Sequence, residues 1–276
     1  MKLSEAKEIL EKAGIPDPLR EARLIFSNIG NIPPWQLVGD DPKCDTPSLL
    51  SAISRRANRE PLQYILGEVS FYREKYKVTP ACLIPREDTE VLVDYAIKNS
   101  ARGARFLDLC TGSGCIAISV LANTEKTEAL AIDISNDAIA LARENAKLNH
   151  VAERVRFLEA DILSEGIPEG LGKFDFILSN PPYIRDTVYQ NLEHEIFHEP
   201  KAAFLGGEDG GVFYRAITPK YKPLLNQNGF IAYEIGYDQE ELIQSVALAN
   251  DMSAKIIKDL SGNARVAVLT PRCPKQ

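Results

Sequence analysis

No two cysteines of this 276-residue chain form a C-x-x-C pair, and the five present (Cys44, Cys82, Cys110, Cys115 and Cys273) are odd in number. That count and spacing argue against a disulfide framework or a zinc ribbon, and they suit the reducing cytoplasm. No apolar run approaches the ~18 residues of a membrane span, so no membrane role is expected. The opening stretch, MKLSEAKEIL, spreads charges through an amphipathic helix and lacks the pattern of a signal peptide. Basic excess is missing too. The formal net charge is −7, and residues 1–75 balance eleven basic against eleven acidic side chains, so all the surplus acid lies beyond them. Duplex DNA binding usually needs a basic face that releases counterions, and direct nucleic-acid binding is not expected. Internal repeats and low-complexity segments are absent.

What is present falls into two patterns. Leu3, Ala6, Leu10 and Ala13 share one helical face, with Gly14 as the stop. Asp17-Pro18 and Thr46-Pro47 each read as an N-cap followed by the first helical residue, and Leu50, Ile53 and Ala57 continue the apolar stripe. Residues 1–65 therefore predict a small all-helical domain without convergent polar groups, suited to recognising a substrate. Residues 66–87 alternate around a charged turn and predict a hairpin linker. From residue 88 to 276, strand-like runs (RFLDLC, ALAIDI, VRFLEAD, FDFILSN, GFIAYEIG) alternate with helices and end in AKIIKDL and ARVAVLT. This order predicts an α/β fold: a mostly parallel, Rossmann-like sheet with an antiparallel pair at one edge. Ligands of such sheets bind beyond the carboxyl ends of the strands, where strand order reverses.

Three groups of residues fall at such ends. The run DLCTGSGCIA is strand, turn and helix, and its glycines Gly112 and Gly114 let a ligand approach the backbone. Asp133 follows Gly112 by 21 residues and ends a strand, where a carboxylate can accept both hydroxyls of a ribose. Asp161, with Ile162 beside it, ends the next strand and can reach an adenine amino group or merely cap a turn. A dinucleotide dehydrogenase shares much of this pattern. Asp108, four residues before the first glycine, and the longer turn speak instead for a ligand with a positive end. The ammonium and sulfonium of S-adenosylmethionine provide one.

The third group is Asn180-Pro181-Pro182-Tyr183. A turn explains the prolines but not the residues around them. A planar nitrogen is a poor nucleophile because its lone pair is delocalised. Two acceptors aimed at its N–H groups orient it and take up developing positive charge. Asn180 Oδ1 can be one and the Pro181 carbonyl the other. Pro182 restricts the residue before it to extended geometry, and Tyr183 offers a flat face. No strong general base is evident.

On these residues the chain resembles the PrmC/HemK family of glutamine methyltransferases, class I S-adenosylmethionine-dependent enzymes. The likeness extends to REPLQYILGEVSFY (59–72), LIPREDTEVLV (83–93), HEPKAAFLGGEDG (198–210) and EIGYDQ (234–239). Cys110 departs from the glycine common there. The resemblance implies S-adenosylmethionine bound by Cys110, Thr111, Gly112, Ser113, Gly114 and Asp133, with Asn180 to Tyr183 as the clamp on the acceptor. It implies methylation of the side-chain amide of the Gly-Gly-Gln glutamine in class 1 peptide chain release factors. Methylation of an adenine or guanine amino group is the enzyme alternative, and a non-catalytic binding module is the third reading. HEIFH (194–198) matches H-E-x-x-H, but only one further histidine, His150, exists, and a loop role over residues 181–210 is favoured over zinc. Trp35 reads as core of the helical domain. Cys110 and Cys115 read as small buried residues rather than nucleophiles, and Tyr72, Arg86 and Glu90 as interdomain or site-lining residues.

Overall fold

The computed structural model describes residues 1–164, 166 and 170–272; Cys273 and the end of the 88–276 segment lie outside them. The chain divides into two compact units, Met1–Val69 with Glu193–Glu199, and Ser70–Leu192 with the chain from Pro200 onward.

The first unit holds α1 (Leu3–Lys12), α2 (Pro18–Asn28), α3 (Pro47–Ala57) and α4 (Leu62–Leu66). Asp17 accepts from the amide of Arg20, and the Thr46 hydroxyl from that of Leu49, each with proline at the next position. These are the starts that side-chain capping and a pre-set proline φ favour. Leu3, Ala6 and Leu10 pack with Ala22, Ile25 and Phe26 of α2 and Leu49, Ala52 and Ile53 of α3. Ile53 of α3 is buried as its sequence suggests, but Leu49 is buried in place of Leu50, which is 40 % exposed. Adjacent leucines lie about 100° apart on a helix, and packing alone selects between them.

A hairpin of β1 (Glu68–Phe71) and β2 (Glu74–Lys77) follows, turning through Tyr72 at φ 56°. Then come α5 (Glu90–Asn99), β3 (Arg105–Leu109), α6 (Cys115–Ala122), β4 (Glu128–Asp133), α7 (Asn136–Leu148), β5 (Val155–Glu159) and β6 (Phe174–Ser179). After a short α8 (Asp186–Tyr189) the chain forms α9 (Val212–Tyr221), β7 (Leu225–Glu234), α10 (Glu240–Ala249), β8 (Met252–Lys258) and β9 (Ala264–Pro271). The seven-stranded sheet runs β5-β4-β3-β6-β7-β9-β8. β9 is antiparallel to both of its neighbours, and the other pairings are parallel.

Alternation along the central strands covers both faces. Phe106, Phe176 and Phe230 stack at 4.9 and 5.2 Å on one side, with Tyr95 of α5 edge-on to Phe230. Leu107, Ile177 and Ile231 face the other way, into a core with Tyr214 and Ile217 of α9 and Ile243 of α10. Each fully buried side chain of this size contributes about 1.5–3 kcal/mol. From β3 the chain winds outward to β4 and β5, then returns to β6 on the opposite side. The switch point therefore lies between the carboxyl ends of β3 and β6.

Candidate active site

Three residues of the five after β3 are left-handed: Cys110 (φ 60°), Gly112 (φ 54°) and Gly114 (φ 81°). The turn is held from three sides. Thr111 donates its amide to the Ile132 carbonyl at 3.0 Å. Gly112 donates its amide to Asp133 Oδ2 at 2.8 Å, and Nδ2 of buried Asn145, on α7, donates to the Ser113 carbonyl at 3.0 Å. The two glycines do different work. A Cβ on Gly112 would meet only Cys82, at 3.7 Å, whereas on Gly114 it would meet Ile118 at 2.9 Å and Ala142 at 3.1 Å. Gly112 borders a cavity; Gly114 lets α6 and α7 close up and does not border it.

Cys110 holds a conformation that costs an L-residue roughly 1–2 kcal/mol. Cys110→Gly relieves this, but gives back about 0.5–1 kcal/mol of chain entropy and some packing. Its expected net effect is under about 1 kcal/mol in urea unfolding. A larger loss would show that the thiol's packing, rather than the backbone, selects this residue. Burial pushes the thiols of Cys110 and Cys115 well above their ordinary value, so neither is a thiolate nucleophile near neutral pH.

Asp108 is corrected by the structure. Its carboxyl is sealed beneath the turn, accepts from the Thr111 hydroxyl at 2.6 Å, and does not border the cavity. Burial raises its pKa to about 7, with the Thr111 bond opposing. It cannot meet a positive ligand directly. Asp133 does border the cavity. One oxygen takes the Gly112 amide and the other the Ser135 amide at 2.9 Å, so the carboxylate is aimed by backbone on both sides. Ser135, not Asp133, caps α7, accepting from Ala138. Asp161 combines both sequence readings: it closes a local turn with the Leu163 amide at 2.8 Å and lines the cavity with Ile162.

Across the switch point the Ser179 hydroxyl donates to the Leu109 carbonyl at 2.7 Å, tying the end of β6 to that of β3. Asn180 and Pro182 therefore share a cavity wall with Cys110, Thr111, Gly112 and Ser113. Asn180 gives its Nδ2 to the Thr89 hydroxyl at 3.2 Å, which directs its carbonyl end elsewhere. Pro181 and Tyr183 stand behind this wall. The Tyr183 hydroxyl donates to Glu234 at 3.1 Å, and burial together with that carboxylate raises its pKa far above the usual phenol value.

The chain has relatives along nearly its whole length. A model of the PrmC N-terminal domain matches residues 2–67, and one of the methyltransferase small domain matches residues 87–227. A release factor glutamine methyltransferase of Thermodesulfovibrio yellowstonii is 37% identical, with 97% of each chain covered. The enzyme of the same name from Caulobacter vibrioides is 36% identical over 95% of this chain and 93% of its own. The chain belongs to the release factor glutamine methyltransferase family. A methyltransferase structure from Pyrococcus furiosus shares the fold, with TM-score 0.52 and 22% identity over 71% of this chain and 87% of that one. The protein is an S-adenosylmethionine-dependent methyltransferase, and its residues fit that cofactor. An acid stands at the second strand end, and the glycine turn beside it has room at Gly112.

In this methyltransferase a layer of residues not expected from the sequence holds the Asn180–Tyr183 segment. Its residues Gln239, Gly206 and Gly210 come from EIGYDQ and HEPKAAFLGGEDG, two of the stretches that resemble the family. Gln239 donates to the Tyr183 carbonyl at 2.9 Å and is itself held by the Tyr214 hydroxyl at 3.1 Å. Ile184 pairs with the 204–206 segment through two backbone bonds of 2.8 Å. A Cβ on Gly206 would lie 2.7 Å from Tyr183 Cα and 2.8 Å from the Pro182 carbonyl, and one on Gly210 2.4 Å from the Tyr183 carbonyl. Gly206→Ala is expected to displace the clamp and lower kcat about tenfold, since small misplacements weigh heavily in oriented reactions, while cofactor affinity holds. Equal turnover in single-turnover assays would show that the clamp tolerates the shift.

Of the remaining candidates only Arg86 borders the cavity. His194–His198 is a 3₁₀ helix, where residues four apart are about 120° from alignment. Its Glu195 accepts from Arg56 at 3.3 Å and Arg59 at 3.0 Å, within the helical unit. Among the described residues no group of three or more His, Cys, Asp or Glu could hold a metal. Trp35 is not core: it is 70 % exposed, because the short turn Pro34–Leu37 buries Leu37 instead. Glu90 accepts the amide of left-handed Tyr72 at 2.7 Å and so supports the hairpin, whereas Arg86 borders the cavity. No helix among the described residues is long and apolar enough to cross a membrane.

Proposed function

We propose that this methyltransferase acts in the cytoplasm on class 1 peptide chain release factors, methylating the side-chain amide nitrogen of the glutamine in their Gly-Gly-Gln loop and so modulating translation termination. The observation that carries the reading is Asn180. It stands at the switch point on the wall that holds the glycine turn, with its amide nitrogen already engaged by Thr89. Asn180 Oδ1 and the Pro181 carbonyl accept from the two N–H groups of the incoming amide and orient its nitrogen in line with the methyl group. S-adenosylmethionine supplies the electrophilic methyl on its sulfonium. Asp133 holds the ribose, residues 110–113 line the donor's side of the cavity, and Asp161 with Ile162 flanks the adenine. Tyr183, behind the wall and tied to Glu234, backs the Asn180–Pro182 segment that meets the acceptor. As positive charge grows on nitrogen, the two oxygens stabilise it, and the proton leaves after transfer.

Residues 1–65 recognise the release factor. Support comes from full-length relatives of that name and from the match of the PrmC N-terminal domain. The acidic balance of the chain speaks against direct contact with nucleic acid. An assay offering purified release factor, duplex DNA and ribosomal RNA side by side, with labelled S-adenosylmethionine, tests the reading. Label is expected in release factor alone and at glutamine. Label in DNA or RNA would replace it with base methylation.

A further inference from the structure

Glu234 ends β7 with its side chain 2 % exposed and does not border the cavity. The Thr89 hydroxyl donates to its Oε2 at 2.5 Å and the Tyr183 hydroxyl to its Oε1 at 3.1 Å. Thr89 Oγ1 in turn accepts from Asn180 Nδ2 at 3.2 Å. A hydroxyl has a single hydrogen. Once Thr89 gives it to a carboxylate, Thr89 can only accept on its other side. Asn180 must then turn its NH₂ toward Thr89 and its oxygen away. The two ends of an asparagine amide have nearly the same shape, so only the donors and acceptors around it select between them.

We propose that Glu234 is a positioning residue: by taking the one hydrogen of Thr89 it sets the amide of Asn180 in the orientation that leaves Oδ1 for the N–H of the acceptor. The proposal rests on the methyl-transfer reading of this site and extends it. The same carboxylate takes the Tyr183 hydrogen, so one group orients both polar side chains of the clamp. It also gives a reason for a carboxylate in a place where burial is costly. With an apolar residue there, Thr89 would be free to donate to Asn180 Oδ1 and turn the amide round.

The relay works in one protonation state. A protonated Glu234 has a hydrogen of its own, can donate it to Thr89, and so reverses the chain. The titratable and charged groups around it are Tyr183, Tyr214 of α9, Cys115 of α6, and the ion pair of Asp88 with Arg265 of β9 at 3.1 Å. Burial raises the pKa of Glu234, opposed by its bonds from Thr89 and Tyr183 and by Arg265. The active form is the ionised one. As pH falls through this raised pKa, kcat falls with it.

The test compares full-length wild type with Glu234→Gln, Thr89→Val and Thr89→Ser. Single-turnover methylation of purified release factor gives the rate, calorimetry the S-adenosylmethionine affinity, and thermal melting the fold. Glu234→Gln and Thr89→Val are expected to lose about 30-fold in kcat, less than removal of the Asn180 oxygen itself. KM and cofactor affinity should stay within about twofold. Thr89→Ser keeps a hydroxyl and should restore most of what Thr89→Val loses, and the acid limb of kcat should vanish in Glu234→Gln. A full rate in Glu234→Gln, a Thr89→Ser as slow as Thr89→Val, or an affinity loss equal to the rate loss would overturn the proposal. If Glu234→Gln does not fold, the Thr89 pair decides. Wild type active only on DNA or RNA would sink the glutamine acceptor alone, because the same variants can be compared on that substrate.

Discussion

Asn180→Ala is expected to slow methyl transfer about 10²–10³-fold, the usual cost of one preorganised partner at a developing charge, with little change in S-adenosylmethionine affinity. The side chain reaches the cavity from the end of β6, where the Ser179 bond to Leu109 fixes the backbone. In the proposed mechanism its carbonyl acts on the acceptor at the moment charge appears on nitrogen, so the loss belongs in the rate rather than in donor binding. Asn180→Asp is the sharper variant. It keeps an oxygen but loses the Nδ2 that Thr89 accepts and adds negative charge beside the sulfonium. It should be impaired, though less than alanine if accepting the amide hydrogen dominates. Single-turnover methylation of release factor by both variants measures this. A near-normal rate in Asn180→Ala would reduce Asn-Pro-Pro-Tyr to a structural turn.

Asp133→Ala is expected to weaken S-adenosylmethionine binding by about 1.5–3 kcal/mol, or roughly 10- to 150-fold, the range for a lost bond to a charged acceptor. The structure adds a second consequence. Asp133 also accepts the amides of Gly112 and Ser135, so alanine frees the glycine turn as well as removing a ribose partner. Asp133→Asn separates the two effects. It nearly preserves shape, but its NH₂ cannot accept the one backbone amide on the side where it falls. An affinity loss in Asn as large as in Ala would point to the carboxylate's charge and acceptors, and a smaller one to its bulk. Calorimetric titration with S-adenosylmethionine gives both numbers, and unchanged affinity in the alanine variant would remove Asp133 from the donor site.

The helix starts at Asp17-Pro18 and Thr46-Pro47 and the order of strands were legible because each depends on residues within a few positions of one another. So were the strand ends that now border one cavity: the 110–113 turn, Asp133, Asp161 and Asn180. Three side chains depart from the local pattern because packing and burial decide. Leu49 rather than Leu50 is buried because of what α3 packs on, and Trp35 is exposed because Leu37 takes the core position. Asp108 looked like a ligand-facing acid, yet Thr111 and burial claim it.

By itself, then, the sequence determined the α/β class, the all-helical start and the family, through local propensities and short contiguous motifs whose chemistry needs particular residue types at particular steps. Only the tertiary structure decided which way those motifs face and what holds them. Thr89, Glu234, Gln239 and Gly206 are 23 to 91 residues from the Asn180–Tyr183 segment they support. A hydrogen bond reaches only about 3 Å, so such partners have no fixed spacing in the chain and become neighbours only when β3, β6 and β7 align their carboxyl ends in one sheet.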